Sequence, residues 1–194
     1  SIKSSLEGRL EVDFGDWAAH VGAGFQRVDM MGSTTIEDAG PASARSQYDL
    51  FTLEAAGFYS LAGQPEGLEV YGGARVVSID AKLDWTTPAP IESGEIEKKE
   101  GFVSPLIGLK VSSAGDGKLF GNARADLGGV GLGANIMLNG VAKGGYRLTR
   151  GISVEGGVRY FSVDYEKGTR NLPGGFRFDM RNFGFLIGLG IASG

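Results

Sequence analysis

Charged residues recur at alternate positions along this chain, between apolar or small ones. The chemistry that such spacing supports is ion pairing across a confined space. In residues 5–14, Leu6, Gly8, Leu10, Val12 and Phe14 alternate with Glu7, Arg9, Glu11 and Asp13. Further along, Glu54, Glu69, Asp126 and Glu155 supply acids, and Arg75, Lys110, Arg124, Lys143, Arg147 and Arg159 supply bases at equivalent positions. An isolated buried charge costs on the order of several kcal/mol, so such groups must pair or stay wet. The signs balance almost one for one. A selective pore would more often carry a ring of one sign. The pattern therefore predicts a network of Glu7, Arg9, Glu11, Glu54, Glu69, Arg75, Arg124, Asp126, Lys143, Arg147, Glu155 and Arg159 that largely plugs a narrow lumen.

Other chemistries find less support. His20 is the single histidine, and no nucleophile motif surrounds it. Its expected role is structural hydrogen bonding, with a switch titrating near neutral pH as the alternative. One His and no Cys leave thiol chemistry, disulfides and a zinc site without ligands, so neither metal nor cofactor is expected. The run Gly128–Gly133 lacks the Lys-Ser/Thr and the helix of a phosphate loop, and reads as an external turn. Glu92, Glu95, Glu97 and Glu100, with Lys98 and Lys99, read as a solvated loop or as a divalent-cation site bridging lipopolysaccharide. A net charge of −4 argues against a nucleic-acid surface.

The elements that position these groups are strands, because period-2 alternation gives one oily and one wet face. Nine segments carry it: 5–14, 17–30, 48–61, 68–85, 102–113, 118–131, 135–148, 152–165 and 176–191. The charges lie on the face that a soluble barrel would fill with a dry core. A lipid solvent explains that inversion. The expected fold is an all-β, antiparallel, up-and-down transmembrane β-barrel of 8–10 strands, forming a single domain over 1–194. No apolar run approaches the roughly 20 residues of a membrane helix. Many of the 34 glycines sit within the alternating segments, as a curved, crowded wall requires. Phe14, Trp17, Tyr59 and Tyr146 fall near one rim and are candidate interfacial anchors.

Connections alternate in length. Gly15-Asp16, 62–67, 114–117 and 149–151 are tight, whereas 31–47, 86–101 and 166–175 are long and polar. Outer-membrane barrels show this contrast, with tight turns periplasmic and long loops external. The fourth segment exceeds the roughly 9–11 residues that a tilted strand needs. Past Val76 its even positions become Ser78, Asp80, Lys82 and Asp84. Its outer part should leave the lipid near Ser78 and carry Trp85 above the membrane. An internal echo, GGARVVSID at 72–80 and GGVRYFSVD at 156–164, fits either hairpin duplication or convergence.

Three stretches resemble uncharacterised Gram-negative outer-membrane β-barrel proteins: ARADLGGVGLG (123–133), GGYRLTRGISVEGGVRYFSVDYEKG (144–168) and FGFLIGLGI (183–191). The resemblance covers Gly101 to Ile191 and extends more loosely over 5–85. It implies an outer-membrane location and a wall, pore or adhesion role, with no catalytic residues. Such relatives carry a further strand ahead of residue 5 and end in an aromatic residue, whereas this chain ends Ala192-Ser193-Gly194. Bacterial barrels have even strand counts, so a ten-stranded parent is expected. The expected function is a non-enzymatic anchor that presents loops from the cell outer membrane. The alternative is a small passive pore for ions or small solutes. Its partners would be outer-membrane lipid and lipopolysaccharide, plus a protein bound through loops 31–47 and 86–101. A lipid-modifying enzyme would need His20 at the other rim. A lipocalin-like carrier would reverse the two faces.

Overall fold

Alternating sequence becomes strand along nearly the whole chain. The computed structural model describes residues 2–36, 40–61, 67–87, 93–114, 118–129, 131, 134–167 and 176–192. Nine strands follow in order: β1 (Ile2–Phe14), β2 (Trp17–Ile36), β3 (Gly40–Ser60), β4 (Gly67–Thr86), β5 (Gly94–Ala114), β6 (Leu119–Gly129), β7 (Ile136–Arg147), β8 (Ile152–Lys167) and β9 (Phe176–Ile191). They form one antiparallel sheet in which every strand pairs with its neighbours in sequence. Among the described residues no helix is long and apolar enough to cross a membrane.

The predicted segments all exist, but two of the three predicted long loops are shorter than expected. Residues 31–47 and 86–101 are largely strand, because β2 runs to Ile36, β3 starts at Gly40 and β5 starts at Gly94. Their polarity marks the end of the apolar face, not the end of strand pairing. Glu95, Glu97, Lys98, Lys99 and Glu100 likewise belong to β5. Glu92 and the tips 37–39, 88–92 and 168–175 lie outside the described residues. In the glycine run, Gly128 and Gly129 end β6. Gly129 has φ +93°, and a Cβ there would come 2.7 Å from the Ala134 carbonyl oxygen. Glycine is required at that position on both grounds.

The chain divides into two compact units: 1–10, 21–54 and 76–102, and 11–20, 55–75 and 103–194. In the second unit, Val103, Ile107, Leu109, Leu127, Leu138, Val154, Phe185 and Ile187 share an exposed apolar face. Burial alternates with it along β7, as a pleated strand dictates. The other face holds a core cluster of Ala18, Ala56, Phe58, Tyr71 and Leu106, with buried Met137, Phe161, Val163 and Tyr165 on β7 and β8. In the first unit, Leu50, Val77, Ile79 and Phe102 are buried. Both units therefore have buried apolar side chains beside the charged ones that the sequence pattern singles out.

Two rings in these units sit over glycines of a neighbouring strand. A Cβ on Gly108 would come 2.5 Å from the Tyr71 ring. One on Gly94 would strike the Trp85 indole, so Trp85 lies flat across its own hairpin.

Candidate functional site

Asp126 on β6 organises the most buried polar cluster. It is a carboxylate on the non-apolar face, placed there by strand parity between Ala125 and Leu127. The Arg75 guanidinium on β4 grips it with Nη1 at 2.9 Å and Nη2 at 3.1 Å. The Tyr71 hydroxyl donates to it at 3.0 Å and Asn139 Nδ2 at 2.7 Å. Asn139 Oδ1 in turn accepts from Arg159 Nε at 3.1 Å. The Arg75 and Asp126 side chains are 1% and 0% exposed. A planar fork on a carboxylate is the strong, orientation-fixing form of ion pair. Here its outer lone pairs are also filled, which a dry charge pair requires.

A second cluster centres on Lys110 of β5. Its ammonium reaches Glu11 at 2.6 Å and Glu69 at 3.1 Å. It also lies 5.1 Å from the Phe58 ring centroid. Phe58 stacks on Tyr71, with centroids 4.6 Å apart, and tilts against His20 at 5.3 Å. Cation, rings and carboxylates thus form one continuous filling. His20 is buried against this aromatic stack.

The remaining predicted members are more dispersed. Lys143 and Glu155 approach to 3.8 Å, and both side chains keep partial exposure. Arg147 stacks on Phe120 at 5.1 Å, and Arg159 on Phe161 at 5.5 Å. Arg124 is buried on the same face as Asp126. In the first unit, Glu54 is buried, and Glu7 and Arg9 meet along one strand at 3.8 Å. The structure thus brings these charges together as separate clusters.

Sequence alternation places Tyr71, Asn139 and Phe58 on the interior face without revealing their contacts. Tyr71 and Asn139 complete the Asp126 site, and Phe58 joins the Lys110 cluster to Tyr71. Strand parity was the available signal. Which strands' inward residues share a level depends on register, which alternation does not specify.

The four rim aromatics Phe14, Trp17, Tyr59 and Tyr146 are all exposed. Trp17 packs on Tyr59 with centroids 4.8 Å apart, and Lys118 Nζ lies 5.6 Å from the Tyr146 ring. A cavity of about 260 Å³ opens beside the turn between β7 and β8, lined by Phe120, Arg147, Arg150, Ser153 and Glu155, among others.

The first unit exposes Leu6, Leu10, Val21, Phe51 and Leu53, and also carries paired charges farther along its strands. Arg27 grips Asp49 through Nε at 2.6 Å, and Arg45 reaches Asp29 at 2.9 Å. Lys99 bridges Asp80 and Glu97 at 3.1 Å each, and Lys82 lies 3.3 Å from Glu97. Hydrogen bonds from Lys99 and Lys82 hold the Glu97 carboxyl below the usual glutamate range. The same contacts raise both lysines above theirs. Among the described residues no group of three or more metal-binding side chains forms.

No protein-family model, curated protein or solved structure matches this chain.

Proposed function

We propose that this chain is a non-enzymatic β-barrel of the outer membrane of a Gram-negative cell, anchoring projecting hairpins through an occluded interior. The carrying observation is the pairing of an exposed apolar face with an ion-paired buried one. In water, an apolar patch of this extent is a liability. In lipid it is the required exterior. The apolar positions run over 152–160 on β8 and 183–191 on β9, matching the roughly 9–11 residues of a tilted transmembrane strand. Only strands whose backbone groups pair can cross hydrocarbon, and consecutive antiparallel pairing meets that need along the sheet.

Occlusion follows from the side chains that fill the interior. The forked Arg75–Asp126 pair and the Lys110–Phe58–Tyr71 stack leave little room at the level where they sit. A barrel of about eight strands is just wide enough for its own side chains. The strands β2–β5 outrun the apolar band. Their charged ladders, Arg27–Asp49 and Lys82–Glu97–Lys99–Asp80, suit the headgroup region and the water beyond it, where lipopolysaccharide is the neighbour. The projecting hairpins are the surface offered to a protein partner.

The test is refolding in detergent, heat-modifiability on a gel, and single-channel recording in a planar bilayer. A folded, heat-resistant species without conductance is expected. Stable ohmic steps would replace the anchor with a small passive pore. Folding without any detergent would remove the membrane reading altogether.

A further inference from the structure

We propose that Asn139–Gly140 is a deamidation site that folding closes, so that a chain left unfolded loses the ability to build the Asp126 cluster. The inference is independent of the membrane reading, because it concerns the buried face alone.

The chemistry is set by the dipeptide. The backbone nitrogen of Gly140, once deprotonated by hydroxide, attacks Asn139 Cγ. Ammonia leaves and a five-membered succinimide closes. Water then opens the ring at either carbonyl, giving aspartate or isoaspartate, in which the main chain runs through the former side chain. Glycine favours the attack because no Cβ shields its nitrogen and its backbone turns freely. The other asparagines, Asn122, Asn135, Asn171 and Asn182, precede Ala, Ile, Leu and Phe.

Nothing in the packing asks for glycine at 140. A Cβ there would meet no atom within 4 Å, and its φ is not positive. Gly108 and Gly129, by contrast, have backbone or a ring where a Cβ would go. The lability of Asn139 is therefore separable from the fold.

The folded sheet blocks each step. Asn139 is 0% exposed, so hydroxide and water are kept out. Its Nδ2 is tied to Asp126 at 2.7 Å and its Oδ1 to Arg159 at 3.1 Å. Gly140 lies between Ala125 of β6 and Tyr160 of β8, with its backbone held in the sheet. Ring closure would need the Asn139 backbone to leave the extended conformation that both neighbours impose.

Either product spoils the site. Aspartate would set an acceptor where Nδ2 now donates to Asp126, bringing two carboxylates together in a buried place. Isoaspartate would add a main-chain atom to β7, a strand paired on both sides. The side chains beyond it would lose their register with β6 and β8.

The experiment ages the full chain at one mildly alkaline pH, either unfolded in urea or refolded in detergent. Tandem mass spectrometry of the tryptic peptide 125–143 reads residue 139, and heat-modifiability reads the refolded fraction. Conversion at 139 should be at least about a hundredfold slower in the folded chain, since only its opened fraction reacts. The refolding yield of the urea-aged chain should fall in step with conversion. Gly140→Ala should keep both Asn139 and the yield through the same ageing, and fresh Asn139→Asp should refold less well than fresh wild type. Equal conversion in the folded and unfolded chains overturns the protection. Converted chain that refolds as well as fresh chain overturns the lockout. A Gly140→Ala chain that ages as fast as the wild type overturns the assignment to this dipeptide. If the chain folds without detergent, the same comparison is made in buffer, so the membrane reading fails or stands separately.

Discussion

Asp126 accepts four hydrogen bonds from three side chains, and no other carboxylate described above is so completely enclosed. Removing its charge leaves the Arg75 guanidinium buried without its counter-ion, a change that typically costs about 3–5 kcal/mol. Asp126→Ala is therefore expected to lose about that much stability in a urea titration of the lipid-embedded protein. Replacing both partners by Leu should cost less than the single change, since no stranded charge remains. A double variant as unstable as Asp126→Ala would show that the site depends on packing and not on charge pairing. The residue types were legible in the sequence. Their assembly was not, because Arg75, Asp126, Asn139 and Arg159 come from four strands whose relative register no local pattern encodes.

At the scale of the element, the β4–β5 hairpin shows how a strand continues after its apolar face ends. The Lys99–Glu97–Lys82 ladder takes over cross-strand contact where Val76 gives way to Ser78. Because the Glu97 pKa is depressed on folding, its contribution is complete above the unfolded glutamate value of about 4.3. It is lost as pH falls through the lower folded value. The lysines are raised, so their contribution is complete below the unfolded value of about 10.4 and is lost as pH rises through the folded values. The ladder is exposed, so its effect is local ordering and is weakened by salt. A carbon-13 titration of the Glu97 carboxyl should give a midpoint below about 4.3, and Lys99→Met should move it up. An unshifted midpoint in the wild type would mean that the ladder does not form. Polar composition alone suggests loops over 31–47 and 86–101. Strand pairing in fact continues through most of them because backbone hydrogen bonds are indifferent to whether a side chain is oily or charged.

For the whole molecule, the informative quantity is which face meets which solvent. Ile187 is 92% exposed on β9, far more than an aqueous protein needs to leave a large aliphatic side chain. If lipid is its surroundings, Ile187→Arg should cost about 2–4 kcal/mol near the bilayer midplane, read from unfolding in lipid vesicles. A neutral or stabilising effect would place that face in water. The strand count, the order and the two faces were all readable from alternation, since a one-residue slip would exchange the faces. The apolar filling around Val77, Ile79, Met137 and Val163 was not, because inward positions that hold Val or Met break no alternation rule and draw no attention beside charged ones.

The rings laid over Gly94 and Gly108 also bear on how such a wall can drift. Each glycine is acceptable only beneath its ring, and each ring has its place only because the glycine is bare. Neither half of the pair can change alone without a collision or a hole, so a lineage carrying this sheet should lose or keep both together. Ring and glycine behave as one inherited letter, written in two distant places of the chain.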